Sequence, residues 1–342
     1  MLYLAIESSC DETAVAVVES PRGKDEFTVL SSVISSQVDI HAKFGGVVPE
    51  IASRAHIEAI SPLAYKALSD ASVVPEQIDA VAVTTEPGLI GALLVGVNFA
   101  KGFAYSYGKP IISVNHIKGH VAANYLNGDV KPPFIAFVAS GGHTSIIKAD
   151  SLIDFETIGR TVDDAVGEAF DKIGRRMGLS YPCGAKMDKL AARGDAHAYK
   201  FPPVYMKDGS FNFSLSGLKT HIVNMLNTAE MKGETLCRED ICASLTRVIC
   251  ESVTRQLDLC FKKYRYKTLL AAGGVLANSH LRRALTEFCG ERDIEFHVPP
   301  LSLCGDNGVM IAAAAKYEFE AGAVSDMSLD GSPSSKDDWR RV

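Results

Sequence analysis

Short apolar runs separated by small polar residues mark the first predicted strands of this chain. Two pairs of such runs occur, at residues 2–6 with 14–18 and at residues 134–138 with 145–147. Each pair predicts two strands joined by a tight turn. The two hairpins indicate either two related lobes or two unrelated hairpins, and the pattern does not decide between them.

The rest of the pattern alternates strands with helices and predicts an α/β protein. Between the hairpins, residues 78–84 and 110–114 are predicted strands, and residues 91–105 form a helix. After residue 150 the predicted elements are helices at 163–177, 185–192, 216–226 and 240–261, a strand at 268–272, a helix from about Asn278 and a last helix at about 306–320. The polar tail 322–342, which contains the only tryptophan, Trp339, is expected to be loosely held.

Composition places the chain among ordinary globular proteins. Its 342 residues suffice for two domains, and 47% of them are hydrophobic and 22% charged. No basic leader precedes Glu7, and the longest run of apolar and glycine residues, Leu89 to Val97, is about half of a membrane span. None of the eight cysteines forms a Cys-x-x-Cys pair. We therefore expect a soluble, cytoplasmic protein with reduced thiols and no membrane segment.

The net charge of −6 argues against nucleic-acid binding by this chain alone. Proteins that bind nucleic acid unaided usually carry a basic surface. The segment Lys262 to Lys267 interleaves basic and aromatic residues, but it follows a predicted helix, where the helix dipole favours cations. A nucleic-acid substrate would therefore be held weakly or with help from a partner.

His116 and His120 are four residues apart at the start of a helix predicted after strand 110–114. This spacing puts both imidazoles on one helix face, about one turn apart. Such a pair suits a single metal ion, but a chance pair on a polar helix face has the same pattern. The metallopeptidase helix carries a glutamate directly after its first histidine. Here that residue is Ile117, which disfavours a peptide-hydrolysing site.

Two turns contain adjacent glycines. In the turn 139–144, backbone N–H groups near Gly141 and Gly142 can approach an anion without interference from a Cβ atom, and the flanking serine and threonine hydroxyls add donors. Gly273 and Gly274 lie between a strand and a helix start, where a nucleoside can lie against them and hydrogen-bond Asn278. A simple hairpin turn and a close packing of strand on helix are the alternative interpretations.

Two groups of acidic residues have an ordinary structural explanation. Asp163, Asp164, Glu168 and Asp171 share one predicted helix with apolar residues, so we interpret them mainly as a solvated face. Asp306 precedes the last helix and is either an N-cap or a ligand.

Several longer motifs together resemble the TsaD family of bacterial tRNA N6-adenosine threonylcarbamoyltransferases, formerly called the O-sialoglycoprotein endopeptidase family. They follow the family's order over nearly the whole chain, at residues 7–15, 46–54, 116–120, 140–144, 167–172, 214–220, 273–278 and 306–307. One motif departs from the family, because Cys183 stands at the first glycine of Tyr-Pro-Gly-Gly-Pro while Gly184 is retained. We expect Cys183 either to tighten a nucleoside pocket or to add a reactive thiol.

The resemblance implies an actin-like ATPase (ASKHA) fold with two lobes, each on a ribonuclease-H-like core, and a ligand in the interlobe cleft. The N-terminal lobe would comprise residues 1–113, completed by the last helix at about 306–321. The C-terminal lobe, with a helical insertion, would comprise residues 114–305, and residues 322–342 would form the polar tail.

The resemblance also implies a reaction. The threonylcarbamoyl group of threonylcarbamoyl-AMP would pass to N6 of the adenosine at position 37, beside the anticodon, in tRNAs that read codons beginning with adenine. The products would be t6A and AMP. The alternatives are a metal-dependent glycoprotein endopeptidase and a non-catalytic actin-like nucleotide-binding scaffold.

The resemblance finally implies ligands, partners and site residues. One divalent ion, Fe²⁺ or Zn²⁺, would be held by His116, His120 and Asp306. The substrate or an adenine nucleotide would contact Ala139, Ser140, Gly141, Gly142, His143, Asp171, Gly184, Asp188 and Asn278. The implied partners are tRNA, TsaB-like and TsaE-like proteins, and a separate synthase that supplies threonylcarbamoyl-AMP. No residue is identified as a catalytic base.

Overall fold

The structure is a computed structural model of the chain that describes residues 1–127 and 130–335. In chain order, the first strands and helices are β1 (Leu2–Glu7), β2 (Glu12–Glu19), β3 (Thr28–Ser36), α1 (Val38–Ala42), α2 (Pro49–Asp70), β4 (Ala80–Glu86), α3 (Ile90–Tyr107), β5 (Ile111–Asn115) and α4 (His116–Ala122). They are followed by β6 (Phe134–Ala139), β7 (Thr144–Ala149), β8 (Phe155–Arg160), α5 (Val166–Arg176), α6 (Gly184–Ala191), α7 (Ser216–Lys232), α8 (Arg238–Tyr264), β9 (Thr268–Ala272), α9 (Ser279–Gly290), β10 (Glu295–His297) and α10 (Gly308–Glu320). Among the described helices, none is long and apolar enough to span a bilayer.

The chain divides into two compact units. Unit 1 comprises Met1–Lys131, Ser151–Phe155 and Gly305–Val342, and unit 2 comprises Pro132–Asp150 and Glu156–Cys304. The last helix, α10, belongs to unit 1. Residues 114–131, which we predicted as the beginning of the C-terminal lobe, make their contacts in unit 1, because α4 packs against α10.

Each unit contains one five-stranded sheet, and both sheets have the same strand order. The orders are β3-β2-β1-β4-β5 and β8-β7-β6-β9-β10. In the first sheet β1 is antiparallel to β2 and parallel to β4; in the second, β6 is antiparallel to β7 and parallel to β9. The two predicted hairpins are thus present. Their matching places in the two sheets favour two related lobes over two unrelated hairpins.

The sheet of unit 1 is covered on both faces, which explains why β1 is continuously apolar. Leu4 and Ile6 pack in the core formed with α2 and α3. On the other face, the beginning of α10 approaches the strands so closely that a Cβ atom on Gly308 would lie 2.6 Å from the backbone nitrogen of Ala16 and 3.0 Å from the carbonyl oxygen of Ala5. The small residues at these positions therefore fix where α10 begins, and with it Asp306.

Several features differ from the sequence prediction. Strands β3, β8 and β10 and helices α1 and α2 were not predicted from the pattern. The tail is also attached rather than loose over its first part, because Ser325 N donates to Ile111 O at 2.8 Å, Ser332 N donates to Thr85 O at 2.8 Å, and Leu329 packs at the core of unit 1. Trp339 lies outside the described residues.

Candidate metal centre and nucleotide site

Helix α4 places His116 and His120 on one buried face. The helix begins directly after β5 because the side chain of Asn115 accepts hydrogen bonds from the backbone N–H groups of Ile117 (2.9 Å) and Lys118 (3.2 Å). This cap satisfies donors that the first helical turn leaves unpaired. His116 is 4% exposed and His120 is fully buried, so the pair is not on a solvated helix face.

Asp306 completes a group of three candidate ligands within unit 1. Its Oδ1 lies 3.7 Å from His116 Nε2 and 3.2 Å from His120 Nε2, and the ligand atoms of the three residues lie within 4.8 Å of one another. Asp306 is not the N-cap of α10, because Asn307 accepts the N–H of Met310 at 2.8 Å and fills that role. Asp306 was predicted to be either an N-cap or a ligand, and the structure is consistent only with a ligand.

The chemistry of these residues fits a divalent cation. Within the described residues, neither ring nitrogen of the buried His120 has a hydrogen-bond partner. A buried polar atom without a partner is rare unless a water or ion pairs with it. Two protein ligands that each lie about 2.0–2.2 Å from one metal ion are roughly 3–4 Å apart, which is the range of the separations from Asp306. Two imidazoles and a carboxylate suit Fe²⁺ or Zn²⁺.

Glu7 orients His116 and was not identified from the sequence. Its side chain is fully buried, and Oε2 lies 3.1 Å from His116 Nδ1 and accepts a hydrogen bond from the Thr84 hydroxyl. Its second oxygen, Oε1, accepts the N–H of Ser9 at 2.6 Å. A carboxylate at Nδ1 fixes the tautomer and leaves Nε2 for a metal. Glu7 begins the motif 7–15, but a glutamate at the end of an apolar strand is too common for the sequence to indicate this role.

Negative charge dominates around the three ligands. Burial acts to lower the pKa of His116, but the carboxylates of Glu7 and Asp306 outweigh it and raise that pKa to about 9. Burial acts to raise the pKa of Glu7, and the charge and hydrogen bond of His116 reverse this and lower it. Burial, together with Asp306 and Asp11, raises the pKa of Glu12 to about 9. A cation at this position would balance the excess of carboxylates.

In unit 2, the turn between β6 and β7 offers two free backbone donors. Ser140 N donates to His143 O at 2.8 Å, and His143 N donates to Ser140 Oγ at 3.2 Å, so both of these amides are used within the turn. Among the described residues, the amides of Gly141 and Gly142 donate no hydrogen bond. The predicted hydroxyl donor Thr144 instead accepts the N–H of Val166 at 2.9 Å and anchors the beginning of α5.

Gly273 and Gly274 differ in why glycine is present. Close packing explains Gly273, whereas the space beside Gly274 is open to a ligand. Gly273 has φ +95°, and a Cβ atom there would lie 2.3 Å from Ala139 O, so the close packing of β9 on β6 requires glycine. Gly274 has no positive φ, and a Cβ atom there would meet no other atom within 4 Å. Asn278 uses its Oδ1 to cap α9 by accepting the N–H of Leu281 at 2.9 Å.

Two predicted contact residues, Asp171 on α5 and Gly184 on α6, are held near each other by a hydrogen bond from the backbone of Cys183. Asp171 Oδ1 accepts the N–H of Cys183 at 2.7 Å, next to Gly184 at the beginning of α6. The Cys183 side chain is fully buried and packs so tightly that a Cβ atom on Gly174 would lie 2.8 Å from its Sγ. Burial, with the charge of Asp171, raises the pKa of the Cys183 thiol to about 11. The expectation of a reactive thiol is therefore wrong, since a thiolate is needed for reactivity.

Contacts within unit 2 bring the predicted substrate residues together. Ala139 touches Gly273, and Asp188 accepts hydrogen bonds from Ser279, the neighbour of Asn278. The turn at Ser140 packs on α5, because a Cβ atom on Gly167 would lie 2.6 Å from Ser140 O. The helix that carries Asp171 thus begins beneath the glycine turn.

The acidic residues near α5 are only partly a solvated face: Asp163 is exposed, but Asp163 and Asp164 both have structural partners that were not predicted. Asp163 accepts hydrogen bonds from the hydroxyl of Ser214 (2.6 Å) and the N–H of Leu215 (2.7 Å), and so it holds the beginning of α7. Asp164 is largely buried and forms ion pairs with Lys172 and Lys219. The motif 214–220 is therefore tied to the loop before α5.

Other residues singled out from the sequence have structural roles. All eight cysteines are unpaired, and five of them are buried. The basic and aromatic segment begins in the last turn of α8, where Lys262 forms an ion pair with Asp258 at 2.5 Å, and Arg265 ends that helix in a left-handed conformation. This agrees with its interpretation as a helix end.

Comparisons with known proteins identify relatives over almost the full chain. The family model TsaD, described as tRNA N6-adenosine threonylcarbamoyltransferase, matches residues 28–313. A protein of that name from Clostridium perfringens is 49% identical over 333 residues, which cover 97% of each chain. Another from Staphylococcus saprophyticus is 46% identical over 330 residues, covering 96% of this chain and 95% of the relative.

Solved structures of similar fold are more distant in sequence. Full-length HypF in a phosphate- and nucleotide-bound form is 16% identical with a TM-score of 0.60, covering 98% of this chain, which spans 47% of HypF. Component A of the (R)-2-hydroxyglutaryl-CoA dehydratase of Acidaminococcus fermentans is 15% identical with a TM-score of 0.55, covering 94% of this chain and 99% of that protein. These likenesses confirm the predicted actin-like ATPase fold, with a ribonuclease-H-like core in each unit.

Proposed function

Because the chain belongs to the TsaD family of tRNA N6-adenosine threonylcarbamoyltransferases, it is an acyltransferase that forms t6A in tRNA, and we propose that unit 2 binds the adenylate of its donor. The proposed donor is threonylcarbamoyl-AMP, and the acceptor is N6 of the adenosine at position 37, beside the anticodon, in tRNAs that read codons beginning with adenine. AMP is the leaving group.

The observation that supports the adenylate site is a set of four glycines at positions where the fold would also accept a side chain. A Cβ atom at Gly141, Gly142, Gly184 or Gly274 would meet no other atom within 4 Å, and none of these residues has a positive φ. Neither packing nor backbone conformation excludes a side chain there. Close approach of a flat ligand to these turns would account for glycine at all four positions, as in nucleotide sites that place a base or phosphate against glycine.

Each proposed contact has a chemical role in the transfer. The amides of Gly141 and Gly142 would donate to the negative charge that develops on the carbonyl oxygen or leaves with the phosphate. Asp188 would accept a ribose hydroxyl, and the side-chain N–H₂ of Asn278, whose oxygen caps α9, would donate to the nucleoside. The adenine amine attacks the carbonyl carbon, the C–N bond forms, the C–O bond to AMP breaks, and N6 loses a proton. Orientation of these groups is the main source of acceleration that the proposal needs.

We propose that His116, His120 and Asp306 hold one divalent ion, Fe²⁺ or Zn²⁺. Such an ion, when bound, polarises oxygen atoms of a ligand. The support from this chain is the buried imidazole of His120, whose ring nitrogens make no hydrogen bond among the described residues, and the carboxylate of Glu7 behind His116. Removal of metal with a chelator, followed by readdition of Fe²⁺ or Zn²⁺, tests which ion restores activity.

We also propose that TsaB-like and TsaE-like proteins assist the chain in the cytoplasm, where its tRNA substrate is, and that a separate synthase supplies the donor. The net charge of −6 supports the need for a partner that adds basic surface. Unit 1 also exposes large apolar side chains along its helices, including Ile57 and Tyr65 on α2 and Tyr105 on α3. Such side chains would contribute to a protein-binding surface if a partner covered this part of unit 1.

A reconstituted reaction tests the proposal directly. The chain, the two partner proteins, threonylcarbamoyl-AMP and unmodified tRNA are incubated, and the tRNA nucleosides are analysed by mass spectrometry for t6A. We expect product with the wild-type chain, a strong loss with His120→Ala, and no change with His197→Ala, which alters an exposed histidine outside both sites.

The same reaction distinguishes the alternative functions. A metal-dependent endopeptidase would cleave glycoproteins without tRNA, and a non-catalytic scaffold would bind nucleotide without forming product. Absence of t6A under conditions in which the Clostridium perfringens relative forms it would contradict the proposed function.

A further inference from the structure

The beginning of α9 holds the Asp188 carboxylate by one oxygen only. Asp188 Oδ1 accepts hydrogen bonds from the backbone N–H of Ser279 (3.1 Å), the hydroxyl of Ser279 (3.1 Å) and Nδ1 of His280 (2.8 Å). Among the described residues, Oδ2 has no hydrogen-bond partner. The carboxylate is therefore fixed about its side-chain torsion while one oxygen stays available to accept a hydrogen bond.

Capping of α9 does not explain the contact with His280. Asn278 already caps the helix through Leu281 N, and the N–H of Ser279 is satisfied by Asp188 without the imidazole. The His280 ring contributes a bond between two side chains that are 19% and 17% exposed. Burial acts to raise the pKa of Asp188, and the hydrogen bonds from His280 and Ser279 outweigh it and lower that pKa, so the carboxylate is ionised at neutral pH.

We propose that His280 is a positioning residue for substrate: its Nδ1–H fixes Oδ1 of Asp188, so that Oδ2 accepts a hydrogen bond from a ribose hydroxyl of the adenylate. This inference rests on the proposed adenylate site in unit 2. A carboxylate is a strong acceptor for a hydroxyl group, and a hydrogen bond to a charged acceptor is stronger than one between neutral groups. Such a hydrogen bond contributes more to affinity when the carboxylate is already immobilised, because less conformational entropy is lost on binding.

The side chains of asparagine and glutamine separate this role from a merely structural one. The amide nitrogen of asparagine is separated from Cα by the same bonds as Nδ1 of histidine, whereas that of glutamine matches Nε2. We therefore expect His280→Asn to keep the hydrogen bond to Asp188 and His280→Gln to lose it. Thermal unfolding of both variants shows whether their stabilities are alike, and His197→Asn controls for the loss of an exposed histidine elsewhere in unit 2.

Isothermal titration calorimetry with two probes, AMP and 2′,3′-dideoxy-AMP, measures how much the ribose hydroxyls contribute to affinity. We expect the wild-type chain and His280→Asn to bind AMP about tenfold or more tightly than the dideoxy probe, equivalent to ~1.4 kcal/mol or more. In His280→Gln and His280→Ala, AMP binding weakens and this ratio falls towards one, while binding of the dideoxy probe changes little. In the full reaction, His280→Gln raises KM for threonylcarbamoyl-AMP more than it lowers kcat.

Two other outcomes would overturn the inference, and they are distinguishable. If His280→Gln and His280→Ala keep the wild-type ratio between the probes, His280 does not position Asp188 for a hydroxyl, although the adenylate site stands. If the wild-type chain binds neither probe nor threonylcarbamoyl-AMP, the adenylate site itself is absent and both proposals fail.

Discussion

The single substitutions Gly273→Ala and Gly274→Ala are expected to have opposite effects: the first lowers stability, and the second weakens binding of the adenylate. In Gly273→Ala, the new Cβ atom would lie 2.3 Å from Ala139 O, on a backbone with φ +95° and ψ 159°. That conformation is almost restricted to glycine and costs an alanine about 1–3 kcal/mol, to which the displacement of Ala139 adds. We expect the free energy of unfolding to fall by about 3 kcal/mol.

Gly274→Ala meets neither obstacle, because its Cβ atom would enter open space at an ordinary φ. A glycine-to-alanine change without strain stabilises a protein by about 0.4–1 kcal/mol through the unfolded chain. If the open space belongs to the adenylate, however, the methyl group obstructs it. We expect AMP binding to weaken by at least about tenfold, or ~1.4 kcal/mol, in a protein that is as stable as wild type.

Urea unfolding and AMP titration of both variants provide the measurements. The explanation of the open glycines is refuted if Gly274→Ala binds AMP with wild-type affinity. The explanation of Gly273 is refuted if its alanine variant unfolds at the wild-type urea concentration. Gly142→Ala, which also places its Cβ atom in open space, repeats the first test in a different turn.

Three further predictions concern residues that the structure identified. Glu7→Gln removes the charge behind His116 and is expected to weaken metal binding about 10–100-fold, measured by metal titration of the isolated chain, with unchanged affinity counting against an orienting role. Asp163→Ala is expected to cost about 1–2 kcal/mol because the beginning of α7 loses its acceptor, and a urea midpoint equal to wild type would contradict this. Burial lowers the pKa of His56, so the unfolded chain binds the proton first as pH falls below about 6.5. The contribution of His56 to stability should thus be full above that pH and decline below it, and His56→Gln should reduce the loss of urea midpoint between pH 7.5 and 5.5.

Much of the fold followed from burial that is visible in the sequence. β1 and β6 are buried on both faces and appear as unbroken apolar runs, so their limits were predicted to within one residue. β3 was missed because its serines interrupt the apolar alternation and much of the strand is exposed. α2 was missed because it contains Pro62, which normally ends a helix.

The candidate site was only partly accessible to sequence reasoning. The spacing of His116 and His120 is local, and it indicated the metal pair. Asp306 and Glu7 approach that pair only because α10 and β1 pack in the same unit as α4. Residues so far apart in the sequence form no local pattern that could indicate this. The same limit explains Asp163, since its partner Ser214 lies 51 residues further along the chain and Asp163 resembled any acidic residue before a helix.

The shared strand order of the two sheets gives every residue of β1 a counterpart in β6. Ile6 pairs with Val83 on β4 as Val138 pairs with Ala272 on β9, so Glu7 and Ala139 occupy the same position in the two units. In one copy the position carries a buried carboxylate behind an imidazole, and in the other it opens the turn proposed for the adenylate. The same strand position thus carries different chemistry in the two units. Comparison of the two halves across the family is expected to find the strands alike and the residues that follow β1 and β6 divergent.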